Sequence, residues 1–188
     1  MLLSALCFSQ ENSEKIEASP ESFKLYYYAP IPFGNNMLSK AHTNDFNGFG
    51  ISVRLFRIRQ VHVNIAFENV GFSATDVSMA GNIEASKLTN VILEGMYKVP
   101  LTGRIAVNPK IGIGAAQIRQ SGNGQDFGKQ PGISFNLGGE VDYKIVGRFR
   151  AFAGVGYSYM RMRIDTAPEL ESFYGNVHTL NLLIGLKI

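Results

Sequence analysis

The stretch Gly48-Phe49-Gly50-Ile51-Ser52-Val53-Arg54-Leu55 is apolar at every second position. It is answered a few residues later by Val61-His62-Val63-Asn64-Ile65-Ala66-Phe67-Glu68, which alternates in the same way. Only Phe56 and the short basic connection Arg57-Ile58-Arg59-Gln60 separate the two runs. Successive side chains of a strand point to opposite faces. Two alternating runs across a tight turn therefore predict a β-hairpin with one apolar and one polar face.

The period of two continues along the chain. Ile133, Phe135, Leu137, Val141, Tyr143 and Ile145 alternate with Ser134, Asn136, Gly138, Glu140, Asp142 and Lys144, with Gly139 the exception. Leu180, Leu182, Ile184, Leu186 and Ile188 repeat the pattern at the end. Eight such runs cover roughly 22–33, 47–57, 61–72, 87–98, 104–118, 132–145, 148–164 and 177–188. Each is about ten residues or longer, against about five or six for an ordinary strand. No stretch of comparable length has a helical period. Long connections (34–46, 73–86, 119–131, 165–176) take turns with tight ones (near Arg57–Gln60, Val99–Gly103 and Ile145–Arg148). Up-and-down membrane barrels are wired this way, with long loops on one side and minimal turns on the other.

Composition narrows the classes further. At 188 residues one domain is expected. Charged residues make up 18% and apolar residues 45%, with a net charge of +3, which is not the footprint of a nucleic-acid binder. Cys7 is the single cysteine, so an internal disulfide and a multi-cysteine zinc site are excluded. No apolar run is long enough for a transmembrane helix. Met1 to Phe8 (Met-Leu-Leu-Ser-Ala-Leu-Cys-Phe) reads as the apolar end of a secretory signal peptide. The expected organisation is a leader remnant at 1–10, a polar periplasmic segment at 11–21 and a barrel at 22–188.

Alternation alone allows a soluble barrel with the apolar set inside or a membrane barrel with it outside. The polar face favours the second. It carries Gly48, Gly50, Ser52, Ala106, Gly112, Gly114, Ala116, Ser134, Gly138, Gly154, Gly156, Ser158 and Gly185. Residues this small suit a crowded lumen rather than an open surface. Aromatics gather near the strand ends of the apolar face: Phe33, Phe49, Phe72, Phe135, Tyr157 and Tyr159 toward the long loops, and Tyr97, Tyr143 and Phe149 toward the tight turns. The polar face also carries Lys24 and Lys187 together with the charges expected to form a lumen network: Arg54, Glu68, Glu94, Lys110, Glu140, Asp142, Lys144 and Arg150. A charge in a narrow lumen must be paired or wet, so Glu94 and Glu140 are expected to face lysine or arginine across it. Arg57, Arg59, Lys98, Arg104 and Arg148 form a basic rim at the tight-turn end.

Met96-Tyr97-Lys98-Val99-Pro100-Leu101, Lys110-Ile111-Gly112-Ile113-Gly114-Ala115, Gly154-Val155-Gly156-Tyr157 and Leu182-Leu183-Ile184-Gly185-Leu186-Lys187-Ile188 carry a resemblance. Over 22–188 the chain resembles the small eight-stranded outer-membrane β-barrels of the OmpA transmembrane-domain and OmpX type, in the style of Bacteroidota-like bacteria. The resemblance implies export by a signal peptide and assembly by the barrel-insertion machinery, which reads the last strand. It also implies outer-membrane lipid and lipopolysaccharide as partners, with no nucleic acid and no cofactor. The chain ends in Ile188 where the family most often ends in Phe.

Catalytic signatures are missing. His42, His62 and His178 stand in no metal-ligand spacing, and neither His178-Thr179-Leu180 nor His42-Thr43-Asn44 sets a serine two residues from its histidine, as a lipid deacylase of this architecture needs. The expectation is an all-β, eight-stranded antiparallel up-and-down transmembrane β-barrel that is not an enzyme. Its role is expected to be structural or interactive, with a lumen filled by small and paired charged side chains, and with a surface ligand, where there is one, at the long loops. A narrow porin and a soluble lipocalin-like carrier are the alternatives.

Overall fold

Ten strands make up a single antiparallel sheet in the computed structural model, which describes residues 23–188. The leader remnant expected at 1–10 and the polar segment expected at 11–21 lie outside the described residues. The strands are β1 (Phe23–Phe33), β2 (His42–Asn44), β3 (Phe49–Ile58), β4 (Val61–Ala74), β5 (Ala85–Tyr97), β6 (Val99–Pro100), β7 (Ile105–Gly122), β8 (Gln125–Val146), β9 (Phe149–Met162) and β10 (Asn176–Lys187). β2 and β6 are short annexes to β4 and β7. The other eight close a ring in the order β1-β3-β4-β5-β7-β8-β9-β10, and β10 returns to β1 through ten residue pairs from Lys24↔Lys187 to Phe33↔His178. The fold is an eight-stranded antiparallel up-and-down transmembrane β-barrel.

The ring turns the apolar set outward. Leu25, Ile111, Leu137 and Ile184 are 52–66% exposed, whereas Tyr28, Asn64, Asn108 and Glu140 on the alternate positions are at most 2% exposed. That arrangement excludes the inside-out, lipocalin-like alternative, in which the apolar set would line the cavity. One bulge, between Arg54 and Phe56, interrupts the alternation on β3, so Leu55 and Phe56 both face outward.

Two expectations need correction. Residues 119–131 are not a loop. β7 and β8 run on for 18 and 22 residues and meet at a two-residue turn. The turn is Asn123-Gly124, with φ of 50° and 71°, the positive pair that a tight hairpin turn requires. The β7–β8 hairpin therefore stands above the other strands. Phe72 does not join the outer aromatic set. Val61, Val63, Ile65 and Phe67 face out, which turns the even-numbered Phe72 inward, where it is fully buried.

The long connections also contain helices that the sequence pattern did not signal: α1 (Met37–Ala41), α2 (Val77–Ala80) and α3 (Pro168–Gly175). Asn36 caps α1, its side chain accepting from the Ser39 amide at 3.0 Å. Met37, Leu38 and Ala41 of α1 then pack into the long-loop mouth of the ring. There they join Tyr26, Tyr28, Val70, Phe72, Leu88, Ile118, Met160 and Val177 in the apolar core.

Interior space is tightest where glycines line the wall. A Cβ on Gly114 would collide with the Val91 carbonyl and with Ser134 and Asn90, whereas one on Gly103, in a turn, would meet nothing. Gly114→Val is expected to cost about 1–3 kcal/mol of overpacking strain and to lower the yield of folded barrel, read as the heat-sensitive fast band on an SDS gel. Gly103→Val is expected to leave that yield unchanged.

Candidate functional site

Three zones stack along the lumen. At the tight-turn end is a charge cluster. Lys24, at the start of β1, lies beside Lys187 of β10 in the ladder, and both reach Glu140 on β8. Lys24 Nζ is 3.0 Å from Glu140 Oε1 and 3.6 Å from Glu94 Oε1, and Lys187 Nζ is 2.5 Å from Asp142 Oδ1. Lys110 Nζ donates to Glu94 Oε2 at 3.2 Å, and Asn64 Nδ2 donates to Glu94 Oε1, also at 3.2 Å. Three lysines thus face three carboxylates. The ammonium groups of Lys24 and Lys187 lie over the ring of Phe152, with Lys187 Nζ 4.8 Å from its centroid.

The remaining members of the expected network are held differently. Glu68 is buried but accepts from Tyr26 Oη at 3.1 Å rather than from a lysine. Arg54 Nη2 donates to His62 Nδ1 at 3.0 Å. Arg150 lies opposite Lys187 across β9 and β10 and opposite Lys144 across β9 and β8, and both Lys144 and Arg150 are partly exposed. Strand alternation puts both on the inner face but does not say which cations meet Glu140, where Lys24 and Lys187 are in contact.

Above the charges runs a belt of amides and hydroxyls. Ser134 Oγ donates to Asn90 Oδ1 (2.8 Å), Asn136 Nδ2 to Ser134 Oγ (3.1 Å), Ser158 Oγ to Asn136 Oδ1 (2.6 Å) and Asn181 Nδ2 to Ser158 Oγ (2.6 Å). Thr179 Oγ1 and Tyr28 Oη both donate to Asn181 Oδ1, at 2.9 and 3.4 Å. The chain of bonds crosses β5, β8, β9, β10 and β1. A cavity of about 20 Å³ lies between belt and cluster, lined by Glu68, Glu94, Lys110, Asn136, Ser158 and Asn181. That is room for about one water.

At the long-loop mouth the structure makes a pair the sequence did not suggest. His42 Nε2 and Ser86 Oγ share a hydrogen bond of 2.9 Å across 44 residues. His42 Nδ1 faces the Met37 carbonyl at 3.5 Å, where a catalytic histidine would meet a carboxylate, and both side chains are buried beneath α1. Among the described residues no group of three or more His, Cys, Asp or Glu side chains is placed to hold a metal ion.

The outer face carries an aromatic row: Phe33, His178, Tyr159 and Phe135 are successive partners on β1, β10, β9 and β8. His178 stacks on Tyr159 at 5.0 Å and shares a 2.8 Å hydrogen bond with Tyr157. Tyr97 and Tyr143 are exposed toward the opposite end. Arg57, Arg59, Arg104 and Arg148 lie exposed in or beside the tight turns, and Lys98 is partly exposed between β5 and β6. The chain thus presents an apolar band, aromatics on both flanks and cations at the turn end. The fold is that of the small eight-stranded outer-membrane β-barrels.

Solved structures of such barrels superpose on it. The crystal structure of neisserial surface protein A (NspA) does so with a TM-score of 0.62, covering 88% of this chain and 96% of that one at 14% identity. The N-terminal β-barrel domain of Pseudomonas aeruginosa OprF and the attachment invasion locus protein Ail of Yersinia pestis each give a TM-score of 0.49 at 15% identity, covering 89% of this chain and 97% of theirs. None of these three comes with a Bacteroidota source. No protein-family model and no curated protein matches the sequence.

Two consequences are measurable. Removing the Glu140 charge strands Lys24 and Lys187 in the lumen, so Glu140→Gln is expected to cost about 3–5 kcal/mol in urea unfolding from detergent micelles. Lys144→Gln at the mouth is expected to change stability by no more than about 0.5 kcal/mol. Burial holds the His42 pKa below its ordinary 6.5, while the Met37 carbonyl and the charge of Asp45 oppose the shift more weakly. The unfolded mouth then binds a proton more readily than the folded one. Its stability is complete above the ordinary histidine value and falls as pH drops below it. Hydrogen exchange of the α1 amides, corrected for intrinsic rates, is expected to show protection lost between pH values of about 7 and 5. In His42→Gln that dependence is expected to be flat.

Proposed function

We propose that the chain is an integral protein of the bacterial outer membrane, exported by its N-terminal leader and inserted by the barrel-assembly machinery. Its tight turns face the periplasm and its long loops face outward. It carries out no catalysis and conducts no solute. Its role is to hold a rigid platform in the envelope and to present the β7–β8 hairpin and the α1, α2 and α3 connections to a partner at the cell surface.

The observation that carries this reading is the filling of the lumen. From the charge cluster through the amide belt to the apolar core under α1, buried side chains occupy the ring, and the cavity between the first two zones has room for about one water. A solute would have to break the Glu140–Lys187 cluster and displace α1. The only buried His–Ser pair among the described residues faces a backbone carbonyl instead of an acid and is covered by α1. Loops on a rigid scaffold are where recognition resides, which supports assigning the work to the long-loop end.

Two measurements on protein refolded in detergent test the proposal. Unboiled samples are expected to migrate faster in SDS than boiled ones, because a closed sheet leaves no backbone group for the detergent to unpair. In planar bilayers the folded protein is expected to give no steady single-channel steps. Regular conductance in wild type would establish the narrow-porin alternative, and a soluble monomer folding without detergent would overturn the membrane reading.

A further inference from the structure

The acidic residues are sorted by end. Glu68, Glu94, Glu140 and Asp142 are buried in the lumen. The other acids among the described residues lie in the connections at the long-loop end or on the β7–β8 hairpin. None of the described ones stands on the outside at the tight-turn end, where Arg57, Arg59, Arg104 and Arg148 are exposed. Among the described residues no carboxylate pairs with any of these four arginines. Arg59 has a φ of 54°, in the left-handed region, and Arg57 Nε donates to its carbonyl at 2.7 Å. The turn thus keeps a cation where glycine would cost less. The rest of the chain's 15 acids are Glu11, Glu14, Glu17 and Glu21. All four fall in the stretch 11–21, whose one cation is Lys15.

The ring order spaces the basic turns evenly. The chain enters the sheet on β1 and leaves it on β10, and at that seam Phe23 and Ile188 exchange backbone hydrogen bonds of 3.2 and 3.0 Å. Counting strands round from the seam, the β3–β4 turn with Arg57 and Arg59 lies a quarter of the way. The connection before β7, with Arg104, lies half-way, and the β8–β9 turn with Arg148 lies three quarters of the way. Residues 11–21 are therefore attached at the quarter of the rim that has no basic turn. An arginine turn stands on either flank and another straight across. Eight strands about 4.8 Å apart and tilted by about 40° make a mouth about 16 Å wide. An extended chain covers about 3.5 Å per residue, so about five residues cross that mouth, and the stretch 11–21 crosses it with slack.

We infer that residues 11–21 dock across the tight-turn mouth as a latch, their glutamates meeting Arg57, Arg59, Arg104 and Arg148. The chain's own segment is the occupant because its charge is opposite, its length spans the mouth and its attachment holds it there at an effective concentration of millimolar order. Exposed ion pairs are individually weak and screened by salt, so the latch is salt-sensitive. Docked, it covers the Lys24–Glu140–Lys187 cluster from outside and occupies the arginines against other polyanions. This assignment rests on the export reading above only in that 11–21 remains after the leader at 1–10 is removed, and it holds whichever side of the membrane the turns face.

The test uses the full chain folded in a zwitterionic detergent, with Cys7→Ser removing the native thiol and a nitroxide attached at Ser13→Cys. Paramagnetic broadening of backbone amides is read by NMR. The amides of Gly103, Arg104, Gly147 and Arg148 are expected to broaden, and those of Asn123 and Gly124 at the far end to stay sharp. At about 1 M salt, where the Debye length is about 3 Å, the broadening is expected to fall on the order of fivefold. A Glu11→Gln, Glu14→Gln, Glu17→Gln, Glu21→Gln variant is expected to lose it to the same extent at low salt, as is an Arg57→Gln, Arg59→Gln, Arg104→Gln, Arg148→Gln variant. Changing Lys87, Arg119 and Lys129 to Gln at the opposite end is expected to leave it unchanged. Nanodiscs containing phosphatidylglycerol are expected to give the same broadening as detergent. Sharp turn amides in the labelled parent would overturn the inference, as would broadening that survives both salt and the glutamate variant. Loss of broadening in the phosphatidylglycerol nanodiscs would assign the rim to lipid headgroups and overturn it too. The gel shift on boiling is read alongside. Sharp turn amides with the shift retained refute the latch alone, and loss of the shift in wild type refutes the barrel reading beneath it.

Discussion

A sheet in hydrocarbon has no water to satisfy its edge, so every backbone amide must find a partner within the protein, and the pairing of β1 with β10 is the contact that meets this demand. The ten pairs from Lys24↔Lys187 to Phe33↔His178 join the first long strand to the last, and without them two edges of N–H and C=O groups would face lipid. Closing the ring at eight strands fixes its bore. Such a bore is just wide enough for its own side chains. The glycines and serines of the inner face follow from that limit, because Gly114 and Gly132 have the neighbouring strand's backbone where a side chain would go.

The same closure dictates the chemistry of the interior. It sets Lys24 and Lys187 side by side, an arrangement that repels unless an anion lies between them. Glu140 comes from β8, 116 residues after Lys24, and contacts both. A buried charge deprived of its partner is costly, so the cluster opposes any slip in the sheet's closure. Slipping β10 by one residue would turn Lys187 toward lipid and Leu186 toward the carboxylates. The amide belt does the same from the other strands, since Asn90, Asn136, Ser158 and Asn181 meet only when β5, β8, β9 and β10 are all in register. Apolar contact inside the barrel supplies cohesion, and the polar zones specify which cohesive arrangement forms.

How much of this the sequence disclosed depends on whether the signal is local. The period of two is local, and it was enough for strand number, handedness of the faces and the membrane reading. Phe72 reads as outward by its aromatic character alone, against its place in the alternation. Counting on from Phe67 turns it inward. The Asn123-Gly124 turn was also legible, since that dipeptide is a strong hairpin signal, but it was submerged in a stretch that read as polar and glycine-rich. The partners of Glu94 and Glu140 were not legible. Alternation gives the face on which Lys24, Lys144, Arg150 and Lys187 lie, whereas only the closed ring, which brings β1 and β10 within reach of β8, makes Lys24 and Lys187 the pair that contacts Glu140. The His42–Ser86 bond across 44 residues is invisible for the same reason.

The cluster, the belt and the core under α1 are neutral in sum, and the outer surface carries cations at both ends. The two sets differ in kind. At the tight-turn end Arg57, Arg59, Arg104 and Arg148 sit in or beside separate turns, and Arg57 spends its Nε on the Arg59 carbonyl. Charges so placed anchor the strand ends at an interface. At the other end the ladder sets Lys87, Arg119 and Lys129 on successive partner positions, and the backbone pairing that fixes them is the pairing that builds the β7–β8 hairpin. Repulsion held in place by a rigid sheet is offset here, among the described residues, where Asp126 approaches Arg119.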